Sequence, residues 1–144
     1  MKNQNFTNHT QIVPGFHIVL GSFITLGAIA SFVNVYLQIA TRDNIFESIL
    51  VALLFICAAL LFWFSRVFAV TVQDRAIRAE EGLRHYALTN KPLDSRLTKG
   101  QIIALRFAPD DEFLVLADRA VREGLSPREI KMAIKNWKPD HDRA

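Results

Sequence analysis

The tightest group of metal-ligating side chains in this sequence is Asp110-Asp111-Glu112, and three carboxylates in a row could hold a cation. They open a segment with helical apolar spacing, where acids complement the partial positive charge of a helix start, so a capping role is the stronger reading. The four histidines, His9, His17, His85 and His141, are scattered without ligand spacing. Cys57 is the only cysteine, which excludes an intrachain disulfide and a cysteine-rich zinc site and leaves it as a small apolar filler. No phosphate-binding loop, dinucleotide-binding glycine pattern or paired-histidine zinc motif occurs, and no serine nucleophile elbow. These residues predict no catalytic site, no metal and no cofactor, and the chain reads as a non-enzyme with no evident small-molecule substrate.

The distribution of charge is more informative than any single residue. Between Lys2 and Arg42, and again between Glu47 and Arg66, there is no Asp, Glu, Lys or Arg. The first run contains the 25 residues FHIVLGSFITLGAIASFVNVYLQIA and the second the 18 residues SILVALLFICAALLFWFS. About 20 helical residues cross roughly 30 Å of hydrocarbon, and helix is the form that satisfies its own backbone there. Two membrane spans are expected, over about 16–40 and 46–65. A buried hairpin in a soluble protein is the rival, but no core able to hide two such helices is present. Ala28-Ile29-Ala30 resembles a signal cleavage site, yet the apolar run continues well past it.

Arg66, Arg75, Arg78 and Arg84 follow the second run, whereas the connector carries Arg42 against Asp43 and Glu47. The excess of basic residues next to the span ends places both termini in the cytoplasm. Residues 66–144 hold 15 Lys plus Arg against 12 Asp plus Glu, enough to suit a face near anionic lipid and too little to argue for nucleic acid.

Within the expected hairpin, Gly27 and Ser31 are four apart and would let the helices approach closely, and Asn34 could add an interhelical hydrogen bond. Nothing stops the second helix at the membrane, so one helix is expected from about Glu47 to Leu88, its last part reaching roughly 30 Å into the cytoplasm. Asp74/Arg78, Glu80/Arg84 and Glu81/His85 are spaced as acid-then-base pairs along it. Ala69, Val72, Ala76, Ala79, Leu83 and Tyr86 recur at spacings of three and four, the pattern of a packing seam that serves either a coiled coil or the downstream helices.

TNKPLDSR breaks that helix and three short ones are expected after it. Thr98 with Gln101, and Ser126 with Glu129, have capping-box spacing, with Leu97/Ile102 and Leu125/Ile130 as staples and Pro127 at the first helical position. Phe113, Leu116, Ala117, Ala120 and Val121 give the middle helix an apolar face, and Gly124 ends it. Ile130, Ala133, Ile134 and Trp137 do the same for the last helix. On its other side, Arg128, Lys131, Lys135 and Lys138 would form a basic stripe able to touch lipid or a partner, each cation near an anionic surface contributing about 1 kcal/mol.

The expected fold is therefore all-α. A polar tail (1–14) precedes a transmembrane hairpin (15–65), a juxtamembrane helix (66–88) and a small cytoplasmic helical domain (89–144).

The segments NHTQIVPGFH, VQDRAIRAEEGLR, LTKGQIIALRFAPDDEF and EGLSPREIKMAIKNWKPD resemble a bacterial family of short two-span membrane proteins of unknown function, sometimes labelled ABC transporter permeases. The resemblance covers nearly the whole chain. It implies a bacterial plasma membrane location and supplies no catalytic residues. Where proline often follows the threonine of the first capped segment, this chain has Lys99. Two uncharged helices do not make a permease, so the expected function is a membrane-anchored interaction or scaffold protein that binds a protein partner or itself. The alternatives are an accessory transporter subunit and a sensor of anionic lipid surfaces.

Overall fold

The computed structural model describes residues 5–8 and 12–140. Lys2, His9 and His141 lie outside the described residues, as does part of the expected polar tail. The described chain is helical, without strands, and divides into two compact units, Ile12–Ala69 and a second that joins the N-terminal residues 5–8 to the stretch from Val70 onward.

The first unit begins with a π-helical stretch, Gly15–Leu20, that runs into helix α1, Gly21–Thr41. Sequence periodicity does not distinguish this wider winding from an ordinary helix. Arg42 ends α1 with a left-handed backbone (φ 59°), its amide bonded to the Gln38 carbonyl at 2.8 Å, and Asn44 is also left-handed. Helix α2, Ile45–Thr89, then runs 45 residues. Proline is absent from it, and it ends where Asn90 turns left-handed before Pro92, matching the uninterrupted helix expected from the sequence. Gly15–Thr41 and Ile45–Thr89 are both long and apolar enough to cross a membrane.

From Ile12 to Ala69 the buried residues are Ser31, Ser48 and Ala52, all small. The large apolar side chains point outward instead: Phe23 is 69% exposed and Leu61 71%. That is the inverse of a water-soluble core, where the large apolar groups are hidden and small polar ones are tolerated outside.

The second unit combines the end of α2 with α3 (Lys99–Leu105), α4 (Asp110–Glu123) and α5 (Pro127–Ala133). Both capping boxes form as the spacing predicts. Thr98 Oγ1 accepts from the Gln101 amide and Gln101 Oε1 from the Thr98 amide, while Ser126 and Glu129 repeat the exchange. Gly124 closes α4 with φ 65°, a conformation that strains any residue bearing a Cβ. Phe107, Phe113, Leu105 and Ile130 are fully buried, with Leu116, Ala117, Ala120 and Ile134 around them and Leu93, Leu125 and Trp137 at the edge.

The structure corrects three expectations. The seam Val72, Ala76, Ala79, Leu83 and Tyr86 is exposed and does not serve the downstream helices, because α2 instead buries Ile77 and Glu81. The acid-then-base pairs along α2 give way to pairs with other partners: Asp74 binds Lys99 (2.9 Å), and Glu81 binds Arg84 (3.0 Å). Finally, α5 stops at Ala133 and Ile134 is extended, so the segment to Asp140 returns along the core rather than continuing the helix.

Candidate functional site

In the first unit, Gly27, Ser31 and Asn34 fall on the side of α1 that meets α2. A Cβ added at Gly27 would collide with the ring of Phe55, so that glycine admits the ring against the helix backbone. Ser31 is buried and turns its hydroxyl to the Ala28 carbonyl (2.8 Å), leaving no unsatisfied donor at the contact. Asn34 Nδ2 donates to Ser48 Oγ at 2.9 Å, and Ser48 Oγ in turn donates to the Asn44 carbonyl at 3.2 Å. Phe16 stacks on Phe62 with ring centres 4.4 Å apart. These contacts fix two helices against each other. With no charged residue between Glu47 and Arg66, the face of α2 that takes part carries no group able to relay a proton or bind an ion electrostatically.

The basic residues of the C-terminal segment are not assembled into one stripe. Arg128 is exposed on α5, and the Lys131 ammonium lies 5.6 Å from the centre of the Phe107 ring. Lys135 and Lys138 come after the helix has ended. Their backbone amides donate to Glu112 Oε2 (2.8 Å) and to the Phe107 carbonyl (2.8 Å), so both are held by the main chain on a segment with a different direction. Glu112 is the residue that stops the helix. Its carboxylate accepts from the amides of Lys135 and Asn136 and from Asn136 Nδ2, while Pro139 disfavours helix in the residue before it. Partial burial raises the Glu112 pKa, but these hydrogen bonds outweigh it and hold the carboxyl below its ordinary range.

Asp110, Asp111 and Glu112 fall in the first turn of α4, where they complement the helix dipole as expected, although the helix begins after Pro109 with no side-chain cap bond. Asp110 accepts from Arg84 Nε (2.7 Å), which ties α4 to α2. Arg84 is the hub of the unit: it also binds Glu81 (3.0 Å) and the Ala108 carbonyl (2.8 Å), and its guanidinium lies 4.4 Å from the centre of the Phe113 ring. His85 Nδ1 sits 2.9 Å from the Lys91 carbonyl, at the turn that ends α2.

Sequence reasoning placed Arg84 in a local helical pair and missed this role. The signal was the spacing of Ile77, Glu81 and Arg84 by four and three, one face that mixes an aliphatic residue with an ion pair. Gln101 was seen only as a capping residue, yet its Nε2 also donates to the Leu125 carbonyl (2.8 Å) and joins the start of α3 to the end of α4.

A cleft of about 230 Å³ opens beside α2, its charged lining formed by Glu80, Glu81, Arg106, Lys138 and Asp140, with Ala76 and Ile77 among the apolar lining residues. Arg106 Nε lies 3.2 Å from Asp140 Oδ2 across it, and Glu81 is bound to Arg84 outside it. Among the described residues, no three His, Cys, Asp or Glu side chains converge on a point where a metal could sit.

Fold and contacts together define an all-helical protein with two potential membrane-crossing helices and a compact unit whose polar side chains act as ties. The chain belongs to a family of unknown function, DUF6526, whose model matches residues 1–144. No curated protein and no solved structure matches it.

Proposed function

We propose that this is a non-enzymatic interaction protein anchored in a bacterial plasma membrane, with both termini cytoplasmic and the helical unit presented to a protein partner. The observation that carries the reading is how the polar groups are used. Arg84, Asp110, Gln101, Glu112 and His85 are the side chains best suited to chemistry in the helical unit, and each holds one segment of the chain against another. Groups committed to such ties cannot bind and release a substrate without loosening the fold. The outward-facing aliphatic and aromatic side chains of Ile12–Ala69 support the anchor, because lipid solvates them without cost and water does not.

Alkaline carbonate extraction of membranes tests the anchor: the chain should stay in the pellet, and release into the wash would remove it. In-cell crosslinking followed by mild-detergent purification tests the role. One recurrent co-purifying protein would define the process served, and a transporter among them would make the chain an accessory subunit. A specific turnover by the purified chain, abolished by one polar substitution, would overturn the reading.

A further inference from the structure

The exposed large apolar side chains of the helical unit gather on α2, with Val115 and Met132 as separate residues elsewhere. Val72 is 67% exposed, Leu83 69% and Tyr86 53%, and Ala76 and Ala79 lie between them without cover. The spacing 72, 76, 79, 83, 86 alternates four and three without a break, which is the a/d repeat of a helix built to meet another helix. The chain covers α2 on the side marked by Ile77, Glu81 and Arg84; all five seam residues stay exposed, and of them Ala76 alone borders the cleft beside Arg106 and Asp140.

We propose that α2 pairs in parallel with a second copy of the same chain along Val72, Ala76, Ala79, Leu83 and Tyr86. The charges beside the seam select that occupant. With Val72, Ala79 and Tyr86 at d positions, Arg75 takes a g position and Glu80 the e position of the next heptad. In a parallel pair these two positions lie side by side across the interface, so Arg75 of each copy meets Glu80 of the other, twice by symmetry. An antiparallel pair would set g against g and e against e, and Arg75 would not meet Glu80. Both side chains are exposed and no salt bridge is formed by either within the described residues; Glu80 sits at the rim of the cleft that holds Arg106 and Lys138, between that cleft and the seam.

The seam is only about two heptads long and two of its core positions are alanine, so as a free peptide it would fall short of the three to four heptads that sustain a coiled coil. A shared bilayer supplies the remainder. It holds two copies in the same sense and raises their effective concentration, converting a weak contact into a populated one. In this respect the pairing rests on the membrane reading given above.

The test uses the full-length chain in native membranes, with Cys57→Ser removing the native thiol and one new cysteine introduced at a time. Mild oxidation should give disulfide-linked dimers for Ala76→Cys, Ala79→Cys and Leu83→Cys, and several-fold less for Arg78→Cys and Leu88→Cys, which are equally open to solvent but off the seam. Equal crosslinking at all five positions, or none at the first three, overturns the proposal. In the Ala79→Cys background, Arg75→Glu and Glu80→Arg should each lower the dimer fraction about threefold to tenfold, and the double exchange should restore it. Failure of the double exchange to restore it overturns the parallel register. Carbonate extraction of the same membranes reports on the anchor separately: a chain retained in the pellet but without the periodic pattern loses the pairing and keeps the membrane reading.

Discussion

The two units are held together by opposite means. In Ile12–Ala69 the helices meet through Gly27, Ser31, Asn34, Ser48 and Ala52, and the large side chains turn away from the contact. From Val70 onward Phe107, Phe113, Leu105 and Ile130 turn inward and are sealed by charged and amide ties. Expulsion of apolar surface from water drives the second arrangement, at about 25 cal/mol for each Å² removed. On the membrane reading proposed above it contributes nothing between the first two helices, where close approach and an occasional hydrogen bond remain. Substitutions should therefore rank differently in the two regions.

The largest effect is expected from Phe113→Ala. The ring is fully buried beneath Arg84, with His85 at its edge, and its removal leaves a cavity costing about 3–5 kcal/mol. In so small a core that is most of the available stability, so thermal melting of the detergent-solubilised chain should lose the transition of the helical unit, while the hairpin keeps its helical circular dichroism. Loss of all helical signal would show that the two regions are not independent. Arg84→Ala comes next, at about 2–3 kcal/mol, because it strips the counter-charge from a Glu81 whose side chain is only 7% exposed. Hydrogen exchange should then quicken first in α4, through loss of the tie to Asp110.

The two capping boxes sharpen the contrast between local and tertiary stabilisation. Both have the same spacing and the same local bonds, but Gln101 is buried and donates to the Leu125 carbonyl, whereas Glu129 is exposed. Gln101→Ala should cost about 1–3 kcal/mol and Glu129→Ala less than about 1 kcal/mol. Gln101→Glu should recover the cap without the tertiary bond, since a carboxylate cannot donate; equal melting temperatures for Gln101→Glu and the unaltered chain would refute the added role. Asn34→Leu removes the hydrogen bond to Ser48 and should weaken the helix pairing of the hairpin by only about 0.6 kcal/mol, read by titration with sodium dodecyl sulfate in mixed micelles.

Much of this was legible in the sequence because it depended on local spacing. The two apolar runs, the unbroken helix past Arg66, both capping boxes and the apolar face of α4 each follow from a periodicity of three to four residues or a cap at a fixed offset. What was not legible depended on residues far apart in the chain. Glu112 and the amides of Lys135 and Asn136 are more than 20 positions apart, and nothing local announces that a carboxylate will end α5 and break the basic stripe. Arg84 has acids three and four residues before it and a third 26 residues on; only packing chooses Glu81 and Asp110 over Glu80. The seam was visible as a repeat, but which side of α2 the chain would cover itself was not.

The smallest expected effect concerns acid, and it separates two kinds of carboxylate tie within the helical unit. Hydrogen bonds from the Arg96 side chain, then from its amide, lower the Asp94 pKa from 3.8 to about 2. Glu112 is also lowered, by amide donors that overcome its partial burial. In both cases the folded state holds its proton less tightly than the unfolded chain. The stabilisation is therefore complete above the ordinary carboxylate range and is lost as pH falls below it, for Asp94 as pH approaches about 2. The melting temperature should decline across that window, and Glu112→Gln should flatten part of the decline. Salt distinguishes the two ties. Asp94 is paired with an exposed guanidinium that ions screen, whereas Glu112 is held mainly by neutral amides that they do not. Raising the salt concentration should therefore shrink the difference between Asp94→Asn and the unaltered chain to what the Arg96 amide supplies, while leaving the effect of Glu112→Gln in place. If both differences vanish together, the return of the chain after α5 is held by charge, and Glu112 is not the latch its hydrogen bonds indicate.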